Sequence, residues 1–540
     1  MKFIRNSNFS KQFINPDFLF ILLTIIIFIL YSYVAYNSFG FPDEFWTIRY
    51  VEKYLGDWNG FLNYQFEKDV HPPLSYLIVF SLFKLFGSWK LLRIVISSTL
   101  VLSIINFSNF VGSRYGKFHG LTCLFFLAFD PAVLMWCTSV RWYSFYMIFL
   151  LWFLVIPKNK NIWFAIKFII GFTLLGYTGY VTIILALPLI IYYYKGSLYT
   201  LENKLKLLVA PLFIFLLIYY NQLEIFFSKK VIIGLQQSSL SLINQNSYNK
   251  YIYFFINNIK AITTAVFSNQ GIMPYSILGV SSIISLTFIS FFAFKELFKR
   301  DYFINNFSIY LLSILLFVFS GLSVKFRNFL LLAPLRSNWI ASQKINSFKY
   351  FLPLIIIAIA QLKGVSNIVN NSGTTKSFFN VPFHSIVKDI EIFSESCNTQ
   401  PIVFHHEKTL NYYLNKKGYL SISDADFKIR DFEASEYNLK QEQRKKEFER
   451  KLILPSENCV VVIDTFRGFS GISKYRKDMM IKALNDLSFS EKSIKRIGKN
   501  KDIFFSRIIR PDYPRDSAII YKLKNVKDLN KMRIWYMDNK

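Results

Sequence analysis

Long apolar runs, each near the length of one membrane crossing, constrain this chain more than any other feature of its sequence. The first run extends from Phe18 to Tyr36 and contains no charged residue. About 20 such residues cross the hydrocarbon core of a bilayer as one helix. The composition agrees, since 53% of the 540 residues are apolar and 19% are aromatic, which is rare in a soluble chain. We therefore expect an α-helical polytopic membrane protein.

The apolar runs predict about 11 transmembrane helices. The first run is longer than a signal-peptide core and is followed by no small-residue cleavage site, so we expect it to remain as the first helix. The predicted helices lie near residues 18–36, 92–112, 118–137, 143–157, 161–176, 178–194, 207–221, 272–294, 303–323, 328–342 and 350–367.

The segment at 71–89 decides the predicted topology. It is apolar enough to insert, but it begins beside two prolines and carries Lys84. If it lies along the outer interface as a juxtamembrane helix, nearly every basic short loop becomes cytoplasmic, as the positive-inside rule requires. We adopt that arrangement, which places the active site and the C-terminal part outside the cytoplasm. The basic residues assigned to the inner side are Arg114, Lys117, Lys158, Lys160, Lys204, Lys206, Lys295, Lys299, Arg300, Arg336 and Lys344.

The sequence divides into a transmembrane domain, residues 1–370, and a polar domain, residues 371–540. Within the first, residues 37–91 form a first outer segment with juxtamembrane helices, and residues 222–271 form a long outer loop. Alternating apolar strands and charged helices predict a small extracytoplasmic α/β domain at the C-terminus. The predicted strands are 401–404, 460–464, 504–509 and 518–523, and the predicted helices are 432–451 and 478–487.

The net charge of +29 would favour a nucleic-acid partner in a soluble protein. Here basic loops facing the cytoplasm and anionic headgroups account for it. No RNA- or DNA-binding motif is present, so we expect no nucleic acid and expect membrane lipids as partners. Of four cysteines, Cys123 and Cys137 fall in apolar runs and are expected in the core, whereas Cys397 and Cys459 would pair only in an oxidising compartment.

Two adjacent carboxylates stand where the first helix leaves the membrane. Asp43 or Glu44 in a cavity would deprotonate an acceptor hydroxyl or amine. The alternative is that Pro42-Asp43-Glu44 begins an amphipathic helix and is solvated. Position alone leaves both interpretations open.

A histidine and several basic residues are predicted at the same face. Glu67 precedes His71-Pro72-Pro73, where the diproline fixes entry into a helix. Arginines at membrane depth face a partner or a cavity, and a guanidinium binds phosphate in a bidentate manner; snorkelling to headgroups is the alternative. The basic residues expected at the outer side are Arg93, Arg141, Lys325 and Arg327.

These motifs, in this order and spacing, resemble the N-terminal half of GT-C-type membrane glycosyltransferases. The resemblance is to the protein O-mannosyltransferase-like family, which includes bacterial lipid A aminoarabinose transferases, and it is strong over residues 18–195. The motifs are Asp43-Glu44, Gly56-Asp57-Trp58, Glu67 with His71-Pro72-Pro73-Leu74, Leu85-Phe86-Gly87, Arg93, Ala128-Phe129-Asp130-Pro131, Ser139-Val140-Arg141-Trp142-Tyr143, and Lys325-Phe326-Arg327-Asn328 before Pro334.

The resemblance implies transfer of a sugar from a polyprenyl-phosphate donor to a lipid, glycan or protein, with inversion, on the extracytoplasmic face of a bacterial inner membrane. It implies Asp43 as general base, and Glu44, Glu67 and His71 around the acceptor or an optional divalent cation. The implied phosphate-binding residues are Arg93, Arg141, Lys325 and Arg327, with Tyr143 and Tyr177 in support.

Two observations bear on cofactors and on the alternative class. Some relatives carry an acid shortly after the Arg-x-Tyr element, whereas Ser144 and Tyr146 follow here, which argues against a metal site, and the sequence requires no cofactor. A transporter or flippase of lipid-linked glycans would also place arginines at membrane depth, but it has no need of an Asp-Glu pair. A non-catalytic family member is the other alternative.

Overall fold

The computed structural model describes most of the helical part of the chain and short stretches of the C-terminal part. It describes residues 15–37, 42–67, 72–156, 162–194, 277–297, 306–319, 330–342 and 348–369, then 387, 390–392, 394–395, 402–405, 414, 417–419, 421–423, 460–465, 494–497 and 518–523. By the density of contacts the chain divides into two compact units, residues 1–38 with 46–374 and residues 39–45 with 375–540.

The first unit is built almost entirely from α-helices. Every predicted apolar run within the described residues coincides with helical structure, although Pro188 and Pro353 lie inside helices. The run at 207–221 and the long outer loop lie outside the described residues. The helices are α1 (Pro16–Asn37), α2 (Pro42–Lys53), α3 (Trp58–Glu67), α4 (Leu74–Phe86), α5 (Trp89–Tyr115), α6 (Lys117–Ala128), α7 (Pro131–Cys137), α8 (Trp142–Val155), α9 (Ile162–Thr178), α10 (Val181–Tyr194), α11 (Ile277–Leu297), α12 (Asn306–Phe319), α13 (Ala333–Ala341) and α14 (Phe348–Val369).

Three of the described helices are long and apolar enough to cross a membrane: α1, α5 and the part of α14 over Phe351–Val369. The bent pair α6 and α7 makes a fourth if it counts as one span. Helix α4 has 13 residues, which rise about 20 Å and so fall short of a hydrocarbon core of about 30 Å. The chain is therefore a helical protein with several membrane-length segments, and the number of about 11 crossings stays a prediction.

The predicted helix at 118–137 is broken, so the expectation of one continuous helix there is wrong. Helices α6 and α7 meet at an angle of 57°. Pro131 has no N–H, and its ring would clash with the carbonyl of the preceding turn. The Asp130 carboxylate accepts hydrogen bonds from the backbone N–H groups of Ala132 at 2.8 Å and Val133 at 3.3 Å, so it caps a new helix.

Helix α5 is the centre of the bundle, packing against α1, α4, α6 and α8. Helices α5 and α6 approach each other closely, because a glycine of each helix lies at their contact. A Cβ atom placed on Gly120 would lie 2.9 Å from the Gly112 Cα and 2.9 Å from the Ser108 carbonyl oxygen. Both obstacles are backbone atoms, so only a shift of one helix against the other would relieve the clash.

The second unit contains a five-stranded mixed sheet. Its strands are β1 (Ile402–His405), β2 (Ser421–Ser423), β3 (Val460–Thr465), β4 (Ile494–Ile497) and β5 (Ala518–Leu523), in the order β2-β1-β3-β5-β4. Strand β1 pairs in parallel with β2 and β3, and β5 is antiparallel to β3 and β4. The predicted strands at 401–404, 460–464 and 518–523 are present. The predicted strand at 504–509 and both predicted helices lie outside the described residues, and β2 and β4 are additions to the prediction.

We predict that Gly120→Ala lowers the thermal unfolding midpoint of the purified protein in detergent, because the new methyl group overpacks the α5–α6 contact at a cost of about 1–3 kcal/mol. Gly56→Ala is the matched control, since nothing lies within 4 Å of a Cβ atom at Gly56. Equal midpoints for the two variants would contradict the close approach of α5 and α6.

Candidate functional site

The first outer segment folds into three short helices whose ends follow the sequence signals. Helix α2 begins at Pro42, as the helix-start alternative predicts, but Glu44 is buried and not solvated. The Asp57 carboxylate accepts a hydrogen bond from the Gly60 N–H at 2.8 Å and caps α3. Helix α4 begins directly after the diproline and ends at Gly87, whose φ of 65° is left-handed.

Contacts between side chains hold these short helices together. The indole N–H of Trp89, at the start of α5, donates to the Glu52 carboxylate on α2 at 2.9 Å. The hydroxyl of Tyr64 on α3 is hydrogen-bonded to that of Tyr50 on α2. Aromatic rings fill the space between α2, α3 and α4, and their ring centroids lie 4.3 to 6.4 Å apart: Tyr50, Tyr54, Trp58, Phe61, Tyr64 and Phe80.

One face of α2 is buried, and Glu44 lies on it. Glu44, Thr47, Ile48 and Val51 are each no more than 2% exposed. Their spacing of three and four residues puts them on one side of the helix. The face therefore combines a carboxyl group and a hydroxyl group about one turn apart, and both are buried and not solvated.

Arg141 lies against this buried face. It precedes α8 in an extended conformation, and its side chain is 5% exposed. Its Nη1 atom donates to the Thr47 hydroxyl at 3.1 Å and to the Tyr76 hydroxyl on α4 at 3.1 Å. Two hydroxyl groups therefore orient the guanidinium of this predicted phosphate-binding arginine, which lies against α2 and α4.

The turn between α7 and α8 fixes the backbone of Arg141. The Ser139 hydroxyl donates to the Trp136 carbonyl oxygen at 2.6 Å, and the Ser144 hydroxyl donates to the Ser139 carbonyl oxygen at 2.5 Å. The Arg141 N–H also donates to Ser139 at 2.9 Å. These hydrogen bonds satisfy a tight turn that is buried throughout.

The structure places three further predicted site residues on separate helices. Arg93 is buried on α5. Tyr143 is buried on α8 against Trp136, with ring centroids 5.9 Å apart. Tyr177 is half-buried near the end of α9.

The other predicted site residues have side chains outside the described part of the structure, or lie wholly outside it. The backbones of Asp43 and Glu67 belong to α2 and α3, but their side chains are not described. His71, Lys325 and Arg327 lie outside the described residues. Among the side chains that the structure does place, no three His, Cys, Asp or Glu residues form a group able to hold a metal ion.

The sequence reading missed a buried ion pair. The Arg336 guanidinium on α13 binds the Asp130 carboxylate at the break between α6 and α7. The two residues are 6% and 2% exposed. Arg336 was expected among the basic residues at cytoplasmic helix ends, and that prediction is wrong because its charge is buried with Asp130. The signal was present, since a charged residue inside an apolar run needs a partner.

Two other distant helices also bind the break. The Tyr31 hydroxyl on α1 donates to the Ala128 carbonyl oxygen at 3.0 Å, and the Gln361 amide on α14 donates to the Phe126 carbonyl oxygen at 3.2 Å. These carbonyls belong to the last turn of α6, where intrahelical donors run out. The break is therefore satisfied by side chains from three other helices.

Comparison with solved structures shows a likeness at low sequence identity. No protein-family model matches the sequence, and no curated protein matches it. The chain is similar to the crystal structure of ArnT from Cupriavidus metallidurans bound to undecaprenyl phosphate, at 12% sequence identity and a TM-score of 0.48, over 93% of this chain and 97% of that one.

We predict that Tyr76→Phe destabilises the protein more than Tyr64→Phe does. The first variant removes a hydrogen bond from a charged guanidinium, worth about 1.5–3 kcal/mol, whereas the second removes one between neutral hydroxyls, worth about 0.5–1.5 kcal/mol. Thermal unfolding midpoints in detergent test this. Equal losses would contradict the charged contact between Arg141 and Tyr76.

Proposed function

We propose that this protein is a membrane glycosyltransferase that moves a sugar from a polyprenyl-phosphate donor to an acceptor on the extracytoplasmic face. The motifs of the first outer segment and the buried arginines are what support this proposal. The acceptor would be a lipid, a glycan or a protein carrying a free hydroxyl or amine.

The observation that carries the proposal is the position of Arg141. A charge buried among helices of a membrane protein is costly, so it is retained where it meets a partner or a substrate. Two neutral hydroxyls hold the Arg141 guanidinium on the buried face of α2. The same helix carries Asp43 and Glu44 in its first turn. We assign phosphate binding to Arg141, and we assign the base to the first turn of α2, the helix whose Thr47 binds Arg141.

The proposed chemistry needs these two groups and little else. The Asp43 carboxylate takes the proton from the acceptor hydroxyl, and the acceptor oxygen attacks C1 of the sugar. The C1–O bond to the lipid phosphate breaks, and the phosphate leaves with the electron pair. Attack from the side opposite the leaving group inverts the anomeric centre.

Polyprenyl phosphate leaves readily only when its growing negative charge is neutralised in the transition state. Guanidinium groups that are already oriented supply this without reorganisation. We assign that part to Arg141 and, from the resemblance, to Arg93, Lys325 and Arg327. Glu44, Glu67 and His71 would shape the acceptor site, and Tyr143 and Tyr177 would support the arginines.

We predict that Asp43→Asn abolishes donor-dependent release of polyprenyl phosphate while folding persists, because an amide cannot accept the acceptor's proton. General-base removal costs about 10²–10⁴-fold in rate. The measurement uses purified protein, total membrane lipid as acceptor and a panel of polyprenyl-phosphate sugars. Asp57→Asn is the matched control, since an amide oxygen still caps α3. Near-wild-type turnover of Asp43→Asn would remove Asp43 from the mechanism, and absence of release from wild-type protein with every donor would favour a transporter or a non-catalytic protein.

We further predict that Arg141→Lys raises the KM for the donor about tenfold or more, because an ammonium group cannot reproduce two directed guanidinium contacts together with phosphate binding. Arg114→Lys serves as control, since Arg114 lies in the last turn of α5 with its guanidinium 4.3 Å from the centre of the Phe110 ring. An unchanged donor KM in Arg141→Lys would exclude Arg141 as a phosphate ligand.

A further inference from the structure

We infer that the Asp130–Arg336 ion pair positions Arg141, so that both residues are positioning residues for binding of the lipid phosphate. This inference rests on the role of Arg141 given under Proposed function. It concerns two residues outside the first outer segment to which Proposed function gives no role.

The first step is that the Asp130 carboxylate has two functions at once. Its Oδ1 atom accepts the N–H groups of Ala132 and Val133 and so begins α7. Its Oδ2 atom binds Arg336 on α13, a residue 206 positions further along the chain. The orientation of α7 is thereby coupled to α13 through a single side chain.

Side chains from other helices also stabilise the bend between α6 and α7. Tyr31 on α1 and Gln361 on α14 bind carbonyl oxygens in the last turn of α6. Helix α13 packs against α6, and α14 packs against α7. The start of α7 is therefore fixed relative to α1, α13 and α14.

Helix α7 connects the Asp130 cap to the turn that carries Arg141, so the position of α7 determines the position of Arg141. Helix α7 has only 7 residues, about 10 Å of rise, and every one of them is buried. Its last turn leads directly into the Ser139 hydrogen bonds that fix the Arg141 backbone. A rotation of α7 at Asp130 would move Arg141 away from Thr47 and Tyr76.

Asp130 and Arg336 bring two opposite charges into the protein interior. Removing one partner of a buried pair leaves the other charge without compensation, and the surroundings must then move or admit water. An exposed pair between α1 and α6 offers a contrast. Lys117 at the start of α6 binds Asp17 on α1 at 2.5 Å, but the two side chains are 67% and 58% exposed, and such pairs contribute little.

The first experiment measures the position of α7 without any donor. Cys137, the last residue of α7, is buried, and Cys123, on α6 before the break, is buried too. Alkylation by N-ethylmaleimide is followed at each cysteine by peptide mass spectrometry. In Asp130→Asn the amide still caps α7 but leaves Arg336 without its anion. We expect Cys137 to react about tenfold faster or more, Cys123 to be unchanged, and the control Asp17→Asn to behave as wild type at both cysteines.

The second experiment measures lipid binding. The dissociation constant for undecaprenyl phosphate is determined for Asp130→Asn, Arg141→Lys and the double variant. We expect each single variant to weaken binding about tenfold and the double variant to bind little worse than Arg141→Lys, because coupled residues are not additive. We also expect kcat at saturating donor to change less than KM, and Asp130→Asn with Arg336→Gln to restore part of the affinity by removing the unpaired charge. Should Asp130→Asn fail to fold, Tyr31→Phe loosens the same break by one hydrogen bond and is expected to shift both readouts in the same direction.

The outcomes separate this inference from the proposed function. Wild-type reactivity of Cys137 in the folded Asp130→Asn variant, or multiplicative losses in the double variant, would overturn the positioning role while leaving the transferase proposal intact. Faster alkylation of Cys137 together with unchanged lipid binding in both Asp130→Asn and Arg141→Lys would overturn the phosphate role of Arg141, and this inference with it.

Discussion

A helix that breaks inside a membrane protein must find hydrogen-bond partners for its own backbone, because neither water nor lipid supplies them. In this chain the break lies between α6 and α7, and Pro131 makes it unavoidable. Asp130 caps the new helix and brings a negative charge into the core. That charge requires Arg336, and the carbonyls at the end of α6 bind Tyr31 and Gln361. Much of the helical unit is thus arranged around satisfying one bend.

The two buried arginines near this bend differ in the chemistry of their partners. Arg336 binds a carboxylate, so the charges of the pair cancel and little attraction remains for an external anion. Arg141 binds the hydroxyls of Thr47 and Tyr76, which fix the direction of its guanidinium. The first arrangement suits a structural joint, and the second suits recognition of a phosphate. The seven residues of α7 connect them, so the position of the second arginine depends on the integrity of the first pair.

The first outer segment shows a similar division of tasks at smaller scale. Its three helices are too short to be stable alone. Packed aromatic rings and the bond between Trp89 and Glu52 hold them together. This packing keeps α2 folded although Glu44 and Thr47 place polar groups on its buried face. The proposed base requires such packing, since errors of about 1 Å in the position of a catalytic group cost about 10²-fold in rate.

The sequence by itself determined the helical character of the apolar runs, the starts of α2 and α4, and the group of residues from which the candidate site is drawn. Those features are local: apolar periodicity, the diproline before α4 and Pro42 at the start of α2 act within a few neighbouring residues. The tertiary structure alone decided that the run at 118–137 bends by 57°, that Arg336 binds Asp130, and that Arg141 binds Thr47 and Tyr76. These partners are 65 to 206 residues apart. Local sequence patterns do not show which distant side chains are in contact. A charged residue in an apolar run indicates that a partner is needed, and the packing of the helices determines which residue that partner is.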